Sequence, residues 1–410
     1  MTSTSTALET LGPRGARWSQ LALGVGVLGA ALAAFLGSQF HDGFARFQHA
    51  WLLACVFWLT LSLGALFFVV LQHLVRAGWS VVVRRVAELV AANVVVAAVL
   101  IAPLVVWAAM GHGSLWSWAD PESLRASPLL QGKAAWLDGR FFAIRCVVYF
   151  GIWIGLSRWL LRHSVEQDSA PDAKPTLALE LRAAPAMVVY ALSVNFAAFD
   201  LLMSLSPTWY STIFGVYVFA GSVMSFFAAA VLIVSFLQGR GLLARAVTVE
   251  HYHDLGKFLF AFVFFWGYIA FSQFMLIWYA DLPEETEWFH VRLAGSWKLV
   301  SAVLLFGHFI LPFAGLLSRH VKRRVGFLSL WAVWLLVMHA VDLAWIVLPP
   351  ASHGHGAESH AGGAIGLVDV ACLVAVGGVW TFALVRSAAN RSLVPVGDPR
   401  LPESLAFENL

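Results

Sequence analysis

A histidine and an aspartate stand one helical turn apart in a strongly apolar stretch of this sequence. They are His339 and Asp342, and the other residues of the segment 325–347 are almost all hydrophobic. If that segment lies in a lipid bilayer, a charged side chain in it costs at least ~2.5 to 3.5 kcal/mol, so it needs a partner or a task. Imidazole and carboxyl groups both bind and release protons, and here they share one helical face. We therefore expect the pair to take part in proton transfer.

Other ionisable side chains interrupt the remaining apolar stretches. Lys298 and His308 are ten residues apart, which places them with Ser301 on one stripe of an α-helix. Most of these groups lie toward one end of their segments, where they could line a polar cavity. The candidate residues for a polar pocket or proton path are Asp200, Lys298, His308, His339, Asp342, Asp369 and Asp254.

A structural interpretation of the same groups stays open. Lys298 can extend its ammonium group to the lipid surface, and the acids can form ion pairs with Arg145 and Lys298. Asp254 shares one stripe with Glu250 and Lys257 at the start of its helix. That stripe fits the inner mouth of a proton path, and it equally fits a solvated helix start whose acids favour the helix dipole.

The elements that must position these groups are membrane-spanning helices. Hydrophobic residues make up 60% of the 410 residues and charged residues 12%, against about 45–50% and about 25% in soluble domains. This composition excludes a water-soluble fold. A spanning helix needs about 20 apolar residues, and the sequence predicts ten such helices in an all-α polytopic membrane protein. The predicted spans are 18–37, 50–71, 86–110, 141–161, 183–205, 209–238, 256–280, 294–318, 325–347 and 364–386.

The positive residues predict the orientation of these helices. If the ten spans alternate in direction, 19 of the 26 Lys and Arg residues fall on the side that holds the N-terminus. Short cytoplasmic loops collect positive charge, so we expect both termini to be cytoplasmic. The predicted layout is a cytoplasmic tail at 1–17, a ten-helix transmembrane domain at 18–386 and a second cytoplasmic tail at 387–410.

A short motif repeats between two of the predicted spans. The pattern D-L-x5-P begins at Asp200 in the fifth span and again at Asp342 in the ninth. Because these two spans cross the membrane in the same direction, they can occupy equivalent places in a duplicated bundle. The sequence therefore predicts two four-helix bundles plus flanking helices.

Patterns for metal binding and disulfides are weak in this sequence. Three cysteines stand in separate apolar segments without paired spacing, which predicts neither a disulfide nor a cluster site. They are Cys55, Cys146 and Cys372. Haem ligation by His308 and His339, or a metal ion held by histidines of the loop 349–363, is a less favoured alternative. We predict no metal site, no covalently bound cofactor and no nucleic-acid partner.

Two long aromatic-rich strings resemble a known family of membrane subunits. They are FDLLMSLSPTWYSTIFGVYVFAGSVMSFF at 199–227 and VTVEHYHDLGKFLFAFVFFWGYIAFSQFMLIWYADLPEE at 247–285, with GSWK following at 295–298. These strings look like the ActF subunit of alternative complex III, a quinol:cytochrome c oxidoreductase. That family belongs to the NrfD/polysulfide-reductase-type membrane subunits. The resemblance extends over most of the chain and is densest between Asn195 and Pro349.

The resemblance implies a membrane subunit of a quinol-oxidising respiratory complex in the inner (cytoplasmic) membrane. It implies that partners carry the redox centres, namely an iron–sulfur subunit and haem c subunits on the outer face, beside a homologous NrfD-like membrane subunit. Quinol or quinone would be the substrate, and this chain would hold no redox metal. Whether the chain binds quinol, conducts protons or serves as a scaffold stays open.

Two hypotheses from other functional classes use the same residues differently. A stand-alone proton-coupled transporter would need the acids but no partner subunits, whereas a purely structural anchor subunit would need neither the acids nor the histidines. Under the leading hypothesis, the proton-accepting groups are Asp200, His339 and Asp342. Lys298 and His308 would then extend the path inward, with Asp254 at the inner mouth.

Overall fold

The computed structural model describes residues 9–40, 44–169, 172–349 and 365–409. Its regular structure is helical, at 80% of the chain, and the described residues contain no strand. In the same ranges, ten helices are long and apolar enough to cross a membrane. The predicted fold class, an all-α polytopic membrane protein, is confirmed.

The ten spanning helices are 21 to 33 residues long and are numbered here in chain order. They are α1 (Pro13–Gly37), α2 (Ala45–Leu74), α3 (Val81–Ala109), α4 (Gly139–Ser169), α5 (Ala173–Leu205), α6 (Phe214–Gly239), α7 (Val249–Ala280), α8 (Trp297–Leu317), α9 (Val325–Val347) and α10 (Leu367–Ala388). Shorter helical segments lie outside the spans: Ser117–Ala119, Pro121–Ala126, Pro128–Gly132, Pro283–Arg292, Arg319–Arg323 and Leu401–Leu405.

The helices form two four-helix bundles and a flanking pair. In the N-terminal bundle, α2 to α5, both α2 and α4 pack against α3 and α5. In the C-terminal bundle, α6 to α9, both α6 and α8 pack against α7 and α9. Helices α1 and α10 pack closely together, and α10 also lies along α2. This arrangement confirms the prediction of two bundles plus flanking helices, with α5 and α9 as the fourth helix of each bundle.

The two bundles join where α2 packs against α6. In α2, 89% of the most apolar stretch is buried, against 22% in α1, so α2 is an interior helix and α1 faces lipid. Gly64 of α2 lies at this junction, because a Cβ atom there would be only 2.2 Å from the carbonyl oxygen of Ser222 in α6. Small residues at such contacts let two helix backbones approach closely.

Helix α8 widens into a π-helical turn at its centre. This turn spans Leu304–Ile310, and Pro312 follows it. A proline ring clashes with the carbonyl group four residues earlier, here that of His308, which favours a π turn over a regular α turn. The wider turn shifts the side-chain register along α8. As a result, the stripe predicted for Lys298 and His308 is not formed, since Lys298 is exposed and His308 is fully buried.

Both described ends of the chain lie at one face of the protein. The N–H of Leu393 donates to the carbonyl oxygen of Glu9 at 2.9 Å, and Arg14 donates to the carbonyl oxygen of Arg240 at 2.9 Å. We call this side the basic face, because the helix ends on it hold 19 of the 26 Lys and Arg residues. The other side is called the opposite face.

Replacing Gly64 with valine is expected to disturb the junction between the two bundles. The added side chain must displace the Ser222 carbonyl group, and overpacking of this kind costs about 1–3 kcal/mol. Thermal unfolding of the purified protein in mild detergent should show a lower midpoint. Gly151→Val is the matched control, because nothing lies within 4 Å of a Cβ atom at Gly151 in α4. An equal fall of the midpoint in both variants would contradict the role given to this contact.

Candidate functional site

A carboxylate held by two neutral donors lies inside the C-terminal bundle. Asp342 of α9 is 2% exposed. The hydroxyl group of Tyr217 in α6 donates to its Oδ1, and the indole Nε1 of Trp266 in α7 donates to its Oδ2 at 3.2 Å. Among the described residues, no ion pair joins Asp342 to a cation. This carboxylate is therefore hydrogen-bonded without being neutralised.

Two buried histidines lie beside this carboxylate. The ring of His308 in α8 stacks on Trp266 with 3.9 Å between ring centres, and its Nε2 contacts the sulfur of Met224 at 3.3 Å. His339 of α9 bonds through Nε2 to the hydroxyl group of Thr60 in α2 at 2.9 Å. In both rings Nδ1 is buried and has no hydrogen-bond partner in the described part of the chain. Such a nitrogen is free to bind a proton or a water molecule.

A glycine lets His339 and Trp266 approach each other. A Cβ atom on Gly221 of α6 would lie 3.1 Å from Cε1 of His339 and 3.8 Å from Cδ1 of Trp266. Both rings thus cover the same stretch of α6 backbone, which brings His339 next to the indole that binds Asp342. We name the resulting group the central polar cluster: Tyr217, Trp266, His308, His339 and Asp342.

Every helix of the C-terminal bundle contributes to the central polar cluster. Tyr217 stands three residues after the start of α6, and Asp342 stands five residues before the end of α9. Both of these helix ends lie at the opposite face. At 1.5 Å per residue, Asp342 is about 7–8 Å below the end of its helix. Tyr217 and Asp342 therefore lie in the half of the membrane domain nearer the opposite face, whereas His308 lies near the middle of α8.

The repeated aspartate of the N-terminal bundle has a different environment. Asp200 of α5 forms a two-point ion pair with Arg145 of α4, at 2.7 Å to Nε and 2.9 Å to Nη2. Tyr149 and Trp136 also donate to this carboxylate, at 2.8 Å and 3.0 Å. Four hydrogen bonds, two of them from a cation, hold the negative charge in place. The geometry thus favours the structural interpretation of Asp200.

The remaining predicted residues lie outside the central polar cluster. Asp369, at the start of α10, pairs with Arg46 at 2.7 Å between Oδ1 and Nη1. Lys298 is exposed on α8. Asp254 lies near the basic-face end of α7, twelve residues before Trp266, which is about 18 Å along the helix axis. The structure therefore brings together three of the seven predicted residues, the two histidines and the aspartate of the central polar cluster.

The alternatives with a bound metal ion find no suitable group of ligands among the described residues. No group of three or more His, Cys, Asp or Glu in these ranges could hold a metal ion. The three cysteines are buried and free. The histidine-rich loop considered for a metal ion falls within 350–364, outside the described residues.

A cavity of about 150 Å³ opens at the opposite face near the central polar cluster. Two stacked indoles, Trp209 and Trp288, and the guanidinium of Arg292 form part of its lining. Arg292 is 2% exposed and donates to two carbonyl oxygens in the last turn of α9, each at 3.0 Å. Burial lowers the pKa of Arg292 well below its ordinary value. Through Arg292 the cavity borders the last turn of α9, the helix that carries Asp342.

Sequence analysis missed Tyr217, Trp266 and Arg292. Aromatic residues commonly fill apolar helices for packing, so a donor role has no sequence signature until the facing carboxylate is known. Arg292 ends the acidic segment 281–292, a context in which arginine is usually solvated. A weak signal was available, because Arg292 follows Trp288 at the i, i+4 spacing that favours stacking in a helix.

A second cavity, of about 230 Å³, opens between the two bundles. Aromatic rings and one amide line part of it: Phe67, Tyr190, Phe219 and Asn195. The Asn195 side chain lies against the backbone of Gly215, where a Cβ atom would be 1.9 Å from its Oδ1. Within the described residues the Asn195 amide makes no hydrogen bond. The cavity therefore presents an unpaired donor and acceptor among apolar surfaces.

Replacing Arg145 with methionine is expected to destabilise the N-terminal bundle. The change leaves the Asp200 carboxylate buried and unpaired, and breaking a buried ion pair in this way costs about 3–5 kcal/mol. The double variant Arg145→Met/Asp200→Asn removes both charges and should recover most of the loss. Unfolding in detergent, followed by heat or denaturant, measures both variants.

Arg162→Met provides the control for this prediction. Its ion pair with Glu166 is exposed, at 77% and 54% of the two side chains, and pairs of that kind contribute about 0–1 kcal/mol. A loss at Arg145 no larger than the loss at Arg162 would contradict the structural role of the buried pair.

The chain matches neither a protein-family model nor a curated protein. The side chains of the central polar cluster and its neighbouring cavities are therefore the main basis for a functional proposal.

Proposed function

We propose that this chain is a proton-conducting membrane subunit of a quinol-oxidising electron-transfer complex. The observation that carries the proposal is the state of Asp342, which has two neutral donors and, within the described parts of the chain, no cation as an ion-pair partner. A carboxylate in that state can take up a proton without breaking an ion pair. The ten spanning helices provide the bilayer setting in which such a group needs a task.

Quinol oxidation creates the demand for a proton path. Removing two electrons from a quinol yields quinone and two protons, and the electrons pass to a redox centre of a partner subunit. In this chain, the free ring nitrogens of His308 and His339 accept protons and pass them toward Asp342. Tyr217 donates to Asp342 and lies on the side of the cluster nearer the opposite face. Glu287 and Arg292 line the cavity at that face and provide polar groups at the exit.

The choice of quinol as electron donor rests on the resemblance of 199–227 and 247–285 to ActF-type subunits. On this proposal the protein lies in the inner membrane with its basic face in the cytoplasm. An iron–sulfur subunit and haem c subunits cover the opposite face, and a homologous NrfD-like subunit lies beside it in the membrane. The chain itself then supplies proton transfer and needs no redox metal.

Quinol binding is a second candidate role, and the cavity at Asn195 favours it. An amide offers both a donor and an acceptor, which suit a quinone carbonyl and a quinol hydroxyl respectively. The aromatic rings around it offer flat apolar faces. Val188 and Leu192, on the same helix, are 59% and 55% exposed, so this side of the bundle faces lipid. A quinol could therefore enter from the bilayer.

Two rival functions predict different behaviour. A stand-alone transporter would move protons in proteoliposomes that contain this chain alone, which a subunit of a larger complex would not do. A purely structural anchor would tolerate the joint neutralisation of His339 and Asp342 with full turnover, while deletion of the chain would abolish assembly.

Replacing Asp342 with asparagine is expected to lower quinol-dependent turnover, or the proton release coupled to it, by about 10²-fold, the lower end of the usual contribution of an acid–base group. Asparagine keeps the size of the side chain and still accepts a hydrogen bond from Tyr217, so the complex should assemble. Quinol oxidation and proton release by the purified complex in liposomes measure the effect.

Asp281→Asn is the matched control for this substitution. Asp281 is an exposed acid after α7 with a positive φ of 47°, a conformation that asparagine also tolerates. Turnover should be unchanged in this variant. If Asp342→Asn assembles and retains both its turnover and its proton release, the proposed role of Asp342 is wrong.

Replacing Asn195 with leucine is expected to raise the KM for quinol several-fold while kcat at saturating quinol changes little. The amide would bind the quinol ring before and after oxidation, so its loss weakens binding more than it slows the chemical step. Leu192→Ala, one turn away on the lipid-facing surface of α5, is the control. Steady-state kinetics with a soluble quinol analogue decide the point, and an unchanged KM would exclude quinol from this cavity.

A further inference from the structure

The chain after α10 packs across the basic face as an ordered segment. We call residues 389–409 the C-terminal strap. Its first part is anchored by buried charges. Asp398 forms an ion pair with Arg84 of α3, and the carbonyl oxygen of Ser392 accepts from Arg85 at 3.0 Å. The side chains of these three charged residues are at most 5% exposed, so the anchor lies out of water.

This anchor belongs to a wider charge network between α3 and α4. Arg85 bridges Glu88 of α3 at 3.1 Å and Asp168 of α4 at 2.8 Å. Separating one partner of such a network leaves a buried, unpaired charge, which is strongly unfavourable. The first part of the C-terminal strap is therefore held firmly.

The last part of the C-terminal strap has weaker contacts, over the start of α7. The ring of Phe407 lies 5.5 Å from the ring of His251. The amide of Asn409 donates to Asp254 at 3.1 Å and accepts from Lys257 at 3.0 Å. The Lys257 side chain is 47% exposed, so these bonds border water. A ring contact and water-exposed hydrogen bonds release more readily than buried ion pairs.

Buried polar groups lie beneath this last part. His251 is 0% exposed and Asp254 is 8% exposed. Their contacts with Phe407 and Asn409 place the end of the C-terminal strap between these groups and water. Burial without water is costly for imidazole and carboxyl groups, so they gain from hydration when this cover opens.

We propose that Phe407 and Asn409 form a lid over Asp254 and His251 that controls the access of water and protons to the basic-face end of the C-terminal bundle. The lid opens when the contacts of these two residues release, while the ion pair of Asp398 keeps the C-terminal strap attached. The position of the lid follows from these contacts alone. Its regulatory role rests on the proposed proton-conducting function.

The lid predicts a protected position that becomes reactive when the end of the C-terminal strap is loosened. A cysteine is placed at position 251 (His251→Cys), which is fully buried and lies against Phe407, and is labelled with a membrane-impermeant maleimide. The native cysteines are buried, so they contribute little background. Adding Phe407→Ala and Asn409→Ala should speed labelling by about tenfold or more. The closed state that shields the cysteine then loses its contacts and is populated less.

Two controls separate a lid from general unfolding. Lys174→Cys reports an exposed site on the same face, with 89% of the side chain exposed, and its labelling rate should not respond to the lid substitutions. Glu408→Ala, an exposed neighbour within the C-terminal strap, should leave position 251 protected. An unchanged labelling rate at position 251 after the lid substitutions would overturn the lid.

Proton uptake from the basic face by the assembled complex tests the regulatory role. With the native His251, the Phe407→Ala/Asn409→Ala variant should take up protons faster than the unmodified complex. Unchanged uptake despite faster labelling would overturn control by the lid. Labelling does not depend on proton conduction, so an unchanged labelling rate contradicts the lid alone. The proposed function is contradicted separately, if the unmodified complex takes up no protons.

Discussion

The cost of a polar group in lipid is the constraint on which the rest of this structure depends. A bilayer core offers no water to satisfy a carboxylate, so each buried acid must find its donors within the protein. Asp200 finds a cation, and its charge is fixed. Asp342 finds a phenol and an indole, which hold the carboxylate in place but leave its proton affinity free to respond to its surroundings. This difference in partners decides which of the two acids can work as a proton relay.

The two four-helix bundles share one arrangement of helices, yet each stabilises its buried aspartate in a different way. Asp200 and Asp342 occupy the fourth helix of their bundles, yet their donors come from different neighbours. In the N-terminal bundle, α4 and the segment before it supply the donors, whereas in the C-terminal bundle α6 and α7 supply them. On the proposed function, the N-terminal bundle supports the C-terminal one. The two are joined near the central polar cluster, where the hydroxyl group of Thr60 in α2 bonds to the ring of His339.

Much of the fold followed from the sequence because bilayer physics acts on composition and spacing. Apolar runs and positive loops predicted the number and the alternation of the helices. The position of His339 one turn before Asp342 in α9 followed from their spacing, although the two side chains bind different partners. Contacts between helices depend instead on rotation and depth, which one sequence does not display. Pro312 widens α8 and shifts the register of His308, and Arg84 finds Asp398 more than 300 residues away. For the same reason, the donors Tyr217 and Trp266 could not be separated from ordinary packing residues.

The most direct test of the account is an infrared difference spectrum between the oxidised and the quinol-reduced states of the assembled complex. A carboxyl group that gains or loses a proton shows a change in its carbonyl stretching band. Proton transfer through Asp342 predicts such a band in the native complex, its loss in Asp342→Asn and its persistence in Asp200→Asn. A spectrum without this band, or one in which the band survives the Asp342 substitution, would contradict proton transfer through the central polar cluster.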